Sequence, residues 1–373
     1  MKFVCNGMIL SDAALTVSKA CAVKTVIPAL ECIKLHAAND GLTLTAYDGE
    51  ISIEKKIPAE IFEEGEICVN GKMFSDFVNK IAGFEVVVYT KDNVVGIRYA
   101  DSESNMSALP AEDFPRFFAR FTDEKKHLVC KESDFKTLVS KVSFCAATDD
   151  SRPILKGCLL EARDGVLQAT ALDGFRMACS SCEALEANND FRIVCPARTL
   201  TEISRMVDGE GTLDIYTEKN FLSVSVKGTS VISKLYAGEF VKKENIYPLE
   251  FKTVVTVKKS ELCESVERAS VLIRGDKNNL ILFDIKSGKI NLTANSEMGK
   301  VEETVEAVLD GAELKIAMNA KYLMDALKAL EEEKVQLSFN ASVSPFTVEN
   351  VECKRDQYLV LPVRTSDSQA ENN

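Results

Sequence analysis

Cys179 and Cys182, three residues apart, and the two histidines, His36 and His127, are the first places to look for chemistry in this 373-residue chain. A CxxC pair supports thiol–disulfide exchange when a helix N-terminus depresses one thiol's pKa, and holds zinc when further ligands stand at matching spacing. Here the pair follows the strand-like run GFRMA, with no helix start beside it. Two histidines are too few for a histidine-rich metal site or a convincing Ser-His-Asp arrangement. The acid pair Asp149-Asp150 and the run Glu331, Glu332 and Glu333 read as solvated loop and helix-end residues, and Asp173-Gly174 as a turn. Neither a GxxxxGK[ST] phosphate loop nor a GxGxxG after a strand occurs. The expectation is a non-catalytic chain that needs no cofactor or metal.

The cations are more informative. Forty-five Lys and Arg face 57 Asp and Glu, a net charge of −12. A protein that grips nucleic acid by neutralising phosphates is usually basic, because each contact releases counterions. Either nucleic acid is not the ligand, or the cations are confined to one surface. Counting from Asp12, Asp134 and Glu261, a cation stands seven residues on in three helix-like segments: Lys19, Lys141 and Arg268. Three further segments open with Lys72, Arg198 and Lys321 and carry Lys80, Arg205 and Lys328 seven or eight residues later. Seven residues is about two helical turns, so each pair shares a face. Six helices are therefore expected to present cations to solvent. Asp76, Glu202 and Asp325 share those helices, which makes the face mildly attractive.

The elements that must position these residues occur three times. TAYD at Thr45, TALD at Thr170 and TANS at Thr293 each follow a Gly and a short apolar run. Helical segments at Ser11, Ser133 and Ser260 precede them, and others at Gly71, Ala197 and Ala320 follow. Leu109, Leu235 and Leu361 recur at intervals of 126. So long a period excludes a solenoid, whose units run about 20–50 residues, and implies three copies of one domain. Each copy is predicted as β–α–β–β–β–α–β–β–β–β, an α+β fold, with the first helix over 11–22 entered through a Ser-Asp cap. Boundaries are expected at 1–120, 126–247 and 248–365, with 366–373 a polar tail. Hydrophobic residues make up 46% and charged residues 27%, the profile of a globular protein, and no apolar run is long enough to span a membrane. The start, MKFVCNGMILSDAA, reads as part of the first repeat and not as a signal peptide. Twelve scattered cysteines read as reduced thiols, and the expected compartment is the cytoplasm.

Taken in order, MKF, LPAEDFP (from Leu109), LDGFRMA (from Leu172), SKLYAGEF (from Ser233), LTAN (from Leu292) and YLVLPVR (from Tyr358) resemble the bacterial DNA polymerase III beta subunit, the sliding-clamp family, along nearly the whole chain. The resemblance implies a DNA processivity factor: a head-to-tail homodimer forming a closed six-domain ring, helices around double-stranded DNA that is encircled without sequence preference, and sheets outside. That reconciles the charge, with cations on inner helices, an acidic exterior, and retention by topology. DNA-facing positions would be the helix cations above with Lys24 and Arg152. A second surface would take short apolar peptides from the DNA polymerase III alpha subunit, other polymerases and the clamp loader. By position it would comprise Leu155, Leu172, Gly174, Phe175, Arg176, Met177, Ile246, Tyr322, Val360, Leu361, Pro362, Val363 and Arg364, the two arginines holding the peptide's polar atoms. Leu172 and Phe175 stand where the family more usually carries Thr and His, and the loop at Arg152 lacks the aromatics some members place there. The dimer contact would involve Met106 on one side and Val271, Leu272 and Arg274 on the other. Two rivals remain: an enzyme using the CxxC thiols, and a clamp paralogue or scaffold that binds partners without encircling DNA.

Overall fold

Asparagine side chains start three of the helices. Asn6 accepts the N–H groups of Met8 and Ile9, Asn70 that of Met73, and Asn319 those of Lys321 and Tyr322. The first helix therefore begins at Gly7, four residues before the Ser-Asp pair expected to cap it, and Ser11 lies buried inside it. The computed structural model describes residues 1–115, 125–248, 250–273, 279–297 and 299–365. Arg274, the tail at 366–373 and most of the first linker lie outside the described residues.

The first repeat runs β1 (Lys2–Asn6), α1 (Gly7–Val17), β2 (Cys32–Ala38), β3 (Gly41–Tyr47), β4 (Ile51–Ile57), β5 (Glu60–Glu63), β6 (Gly65–Asn70), α2 (Gly71–Lys80), β7 (Glu85–Lys91), β8 (Val94–Tyr99) and β9 (Ser102–Leu109). The second runs β10 (Lys126–Lys131), α3 (Glu132–Val142), β11 (Gly157–Arg163), β12 (Val166–Leu172), β13 (Arg176–Glu183), β14 (Glu186–Ala187), β15 (Phe191–Pro196), α4 (Ala197–Met206), β16 (Thr212–Glu218), β17 (Phe221–Val226) and β18 (Thr229–Lys234). The third runs β19 (Thr253–Lys258), α5 (Lys259–Leu272), β20 (Leu280–Lys286), β21 (Lys289–Ser296), β22 (Gly299–Gly311), β23 (Leu314–Asn319), α6 (Ala320–Ala329), β24 (Lys334–Phe339), β25 (Phe346–Asn350) and β26 (Gln357–Val360). Five strands, or four in the third copy, separate the helices where three were expected, and three follow the second helix instead of four. The extra strands β5 and β14 are short and acid-rich, without the alternation that marks a strand. In the third copy the corresponding segments merge into the thirteen-residue β22.

Contacts group the chain into two compact units, one of residues 1–135, 184–191 and 198–235, the other of residues 136–183, 192–197 and 236–373. In the first, β10, β14 and β16 to β18 join all nine strands of the first repeat in a fourteen-stranded sheet, and the join is an antiparallel ladder between β18 and β4 from Thr229↔Lys55 to Ser233↔Ile51. In the second, a twelve-stranded sheet is joined by β13 and β26, from Arg176↔Val360 to Cys179↔Gln357. The middle repeat is thus shared, because each of its sheets continues into a neighbouring repeat. Within the units, α1 packs on α2, β3 and β4, and α5 on α6, β21 and β22. Leu10, Ala13, Ala14 and Val17 bury one face of α1, and Leu323, Met324, Ala326 and Leu327 one face of α6. Burying each large aliphatic side chain stabilises by about 1.5–3 kcal/mol. Among the described residues no helix is long and apolar enough to cross a membrane.

Candidate functional site

A turn at the start of β13 builds the most distinctive site. The Asp173 carboxylate accepts the N–H groups of Phe175 (2.8 Å) and Arg176 (3.0 Å), while Gly174 adopts φ +93°, a conformation costly for any residue with a Cβ. The turn leaves Phe175 59% exposed, stacked on Tyr322 of α6 with ring centroids 6.4 Å apart. Arg176 is committed inward. Its guanidinium donates to Asp173 (3.0 Å), Asp325 (2.6 Å) and the Phe144 carbonyl (2.8 Å), and lies 4.5 Å from the Tyr322 ring centre and 5.5 Å from that of Phe144. Arg176 was expected to hold a peptide's polar atoms; in this structure these bonds tie its guanidinium to the platform under Phe175.

Beside the platform, Leu155, Leu172 and Met177 form a buried apolar floor with Leu159, Val194, Phe240 and Leu359, and Ile154, Tyr236, Ile246 and Tyr247 are partly buried against it. Val360 is buried at the end of β26, and the chain continues through half-buried Leu361, Pro362 and Val363 to exposed Arg364. Two backbone bonds hold this last stretch, Leu361 N–H to the Phe175 carbonyl and Val363 N–H to that of Ala317, each 2.8 Å. All thirteen expected residues lie in the second unit; Leu155, Leu172, Met177 and Ile246 meet at this floor, and Phe175 and Tyr322 stack on one another. Met177, only 1% exposed, belongs to the floor, so it supports the cleft more than it offers a contact. Sequence reasoning read Asp173 only as part of a turn and missed Phe144 and Asp325 as supports. Phe240 and Tyr236 lay within the quoted block SKLYAGEF.

The helix cations divide. Lys72, Arg198 and Lys321 each occupy the second position of α2, α4 and α6, and Lys80, Arg205 and Lys328 the ninth or tenth, all exposed. Here the threefold pattern holds. On the first helices it fails. Aligned on their true starts, Gly7, Glu132 and Lys259, the position of Lys141 and Arg268 is taken in α1 by Thr16, and Lys19 lies beyond the helix. Lys141 is moreover buried, its amine 2.8 Å from Asp356, and so does not belong on a solvent-facing cationic surface. Several exposed cations are partnered: Arg198 with Asp48 (2.5 Å), Arg205 with Glu202 (2.6 Å), Arg268 with Glu303 (2.8 Å) and Lys328 with Glu267 (2.9 Å). Lys19, Lys24, Lys72, Lys80, Arg152 and Lys321 are exposed and make no ion pair among the described residues.

Of the expected dimer residues, Met106 is half-buried on β9 opposite Val95, while Val271 is 63% exposed and Leu272 half-buried at the end of α5. Phe77, Phe84 and Tyr99 cluster at the end of β8, with ring centres 5.9 Å from Tyr99 in both cases. The CxxC pair is buried in mid-strand. Side chains three apart on a strand point to opposite faces, so the two thiols cannot act together. Burial pushes the Cys179 thiol up although the Lys243 amine lies 3.9 Å away, which disfavours the thiolate that a nucleophile needs. Among the described residues no group of three or more His, Cys, Asp or Glu is placed to hold a metal.

Comparison with known proteins agrees with this geometry. Residues 1–118, 130–242 and 244–364 match the families described as the N-terminal, central and C-terminal domains of the DNA polymerase III beta subunit. The chain is 33% identical to the beta sliding clamp of Halalkalibacterium halodurans and 30% to that of Bacillus subtilis, in each case over 98% of this chain and all of the relative. The crystal structure of the Bacillus subtilis DNA polymerase sliding clamp superposes with a TM-score of 0.93 at 30% identity, covering 98% of this chain and 99% of that one.

Proposed function

Because the chain belongs to the DNA polymerase III beta-subunit family, the beta sliding clamps of DNA replication, we propose that two copies close head to tail around double-stranded DNA and tether polymerases and the clamp loader through the cleft at Phe175. The observation that carries the ring is the repeated seam. The last strand of the second repeat, β18, pairs with β4 of the first, and the last strand of the third, β26, pairs with β13 of the second. The last strand of the first repeat, β9, and the third repeat's counterpart of β4 and β13, which is β22, have no such partner. Among the described residues, 102–107 of β9 pair only with β8, and 299–306 of β22 only with β21. A third seam of the same kind therefore needs a second copy, and forming it twice closes six domains into a ring. Met106 would then approach the start of β22, beside which Leu272 sits: its carbonyl accepts the Ser296 hydroxyl at 2.8 Å.

Exposed Lys19, Lys24, Lys72, Lys80, Arg152 and Lys321, with the partnered Arg198, Arg205, Arg268 and Lys328, are the side chains offered to DNA. In a chain of net −12 they favour passage along the duplex over adhesion to it. The polypeptide does no chemistry of its own. We place the three domains at 1–120, 126–247 and 248–365, with a polar tail at 366–373; the family segments 1–118, 130–242 and 244–364 support a division into three. The protein works as a soluble cytoplasmic component. The mass in solution tests the ring: wild type should be a dimer, and Val271→Asp with Leu272→Asp a monomer, since an unpaired buried charge is costly at an interface. A monomeric wild type, or an unchanged dimer in the variant, would place the contact elsewhere.

A further inference from the structure

Lys141, displaced from the cationic surface, is the centre of a buried polar network. Its side chain is 4% exposed, and its amine contacts Asp356 Oδ2 at 2.8 Å and the more exposed Glu331 at 2.9 Å. The other Asp356 oxygen, Oδ1, accepts the Ser180 hydroxyl at 2.6 Å, and the Asp356 side chain is 1% exposed. Ser180 belongs to β13, and Asp356 immediately precedes β26. The network therefore fastens one end of the β13–β26 seam to the end of α3. The other end of that seam is the cleft, where Arg176 pairs with Val360 and the Leu361 N–H reaches the Phe175 carbonyl.

The same segment reaches the cleft by a second route. Three residues beyond Lys141, Phe144 stacks on Tyr358 with centroids 6.1 Å apart, and its carbonyl accepts the Arg176 guanidinium. At the other seam within the chain, β18–β4, the equivalent of Lys141 is Thr16, and the equivalent of Asp356, 126 residues earlier, is Ser230. From that seam the chain continues at Leu235 into AGEF. The buried ion pair accompanies the seam that bears the cleft.

We propose that Lys141 and Asp356 are positioning residues for partner binding: they hold β26 and the Phe144 segment in the register that keeps Phe175, Arg176 and the 361–364 stretch shaped for a peptide, without touching it. The proposal rests on the cleft being the partner site. An ion pair is directional in a way that an apolar contact is not, and a buried charged pair can fix one arrangement among several of similar packing. Loss of Lys141 alone leaves the Asp356 carboxylate buried with one hydroxyl partner, so Lys141→Met is expected to lower thermal stability as well as affinity. The double variant Lys141→Met/Asp356→Asn removes both charges and separates the two effects.

Calorimetric titration with a synthetic apolar peptide carrying a Gln and paired Leu and Phe residues tests this, with melting temperature and dimer mass measured on the same samples. The double variant should melt within a few degrees of wild type, remain dimeric and bind about tenfold more weakly, while Lys141→Arg should restore most of the affinity. Wild-type affinity in the double variant, or a loss that merely follows its melting temperature, overturns the positioning role. Phe175→Ala serves as the control on the cleft itself. If that variant binds as wild type, the peptide sits elsewhere and the partner-site reading fails first. If it loses binding while the double variant does not, the cleft stands and only the positioning role falls.

Discussion

Replacing Phe175 by Ala isolates the cleft's main exposed side chain. An aromatic side chain has about 150–250 Å² to bury. With 59% of Phe175 open to solvent, roughly 100 Å² is left for a partner to cover. At about 25 cal/mol per Å² that burial contributes about 2.5 kcal/mol, or roughly 70-fold in Kd. A short peptide binding with a Kd on the order of micromolar would then bind on the order of 100 µM. The folded protein should hardly notice. Within the fold the substitution removes only the stack on Tyr322, worth about 1 kcal/mol, and Arg176 keeps its bonds to Asp173 and Asp325. Isothermal calorimetry with the apolar peptide, alongside light scattering and thermal melting, reads affinity, assembly and stability together. Affinity within twofold of wild type, with the dimer intact, would refute the assignment of Phe175 as an anchor. A loss of affinity accompanied by a large fall in melting temperature would refute the view that its exposed face is what matters.

The helix cations should govern DNA association without affecting assembly. Lys72→Ala with Lys321→Ala should lower loading onto nicked circular DNA, and flatten the dependence of log K on log salt by about 0.9 for each phosphate no longer neutralised, at constant dimer mass. Adding Arg198→Ala should also cost stability, because Arg198 covers the Asp48 carboxylate, 7% exposed. Cys179→Ser with Cys182→Ser should leave peptide binding and DNA loading unchanged, and a loss of either function in a stable variant would revive a thiol mechanism. Glu332 accepts the backbone N–H groups of Cys353, Glu352 and Val351, which hold its carboxyl below the usual range. Its contribution is therefore present above the unfolded-state pKa and lost as pH falls through the lower folded value. Glu332→Gln should remove that part of the acid sensitivity, read as the change in melting temperature between neutral and acidic pH.

How much was legible in the sequence depended on how far apart the interacting residues lie. The second helices were placed within a residue or two, since Lys72, Arg198 and Lys321 share a position and apolar residues follow at helical spacing. The first helices were out of register in one copy. The cap of α1 is Asn6, while lysines precede α3 and α5, so no common residue marks the start, and the Ser-Asp inside α1 imitates one. Lys141 looked like any surface lysine because the carboxylate that buries it is 215 residues away. The inward commitment of Arg176 was hidden likewise, since Asp325 is 149 residues distant. The residues of the proposed cleft were named by resemblance, and the Asp173-Gly174 turn beside them was readable because that geometry is made by adjacent residues.

The strand edges that β9 and β22 leave open among the described residues impose a requirement on the lone protomer. Rows of free N–H and C=O groups invite any extended chain to add on, which is the usual route from an open sheet to aggregation. Along β9 the residues are Ser102, Glu103, Ser104, Asn105, Met106 and Ser107, and along the open part of β22 they include Lys300, Glu302, Glu303 and Glu306. Such sequences are poor templates for a hydrophobic intruder, since docking one would strand hydroxyls and carboxylates against it. A partner whose own edge supplies matching polar groups meets no such penalty. The edges therefore act as a filter, disfavouring the addition of a hydrophobic strand while leaving the place open to another copy.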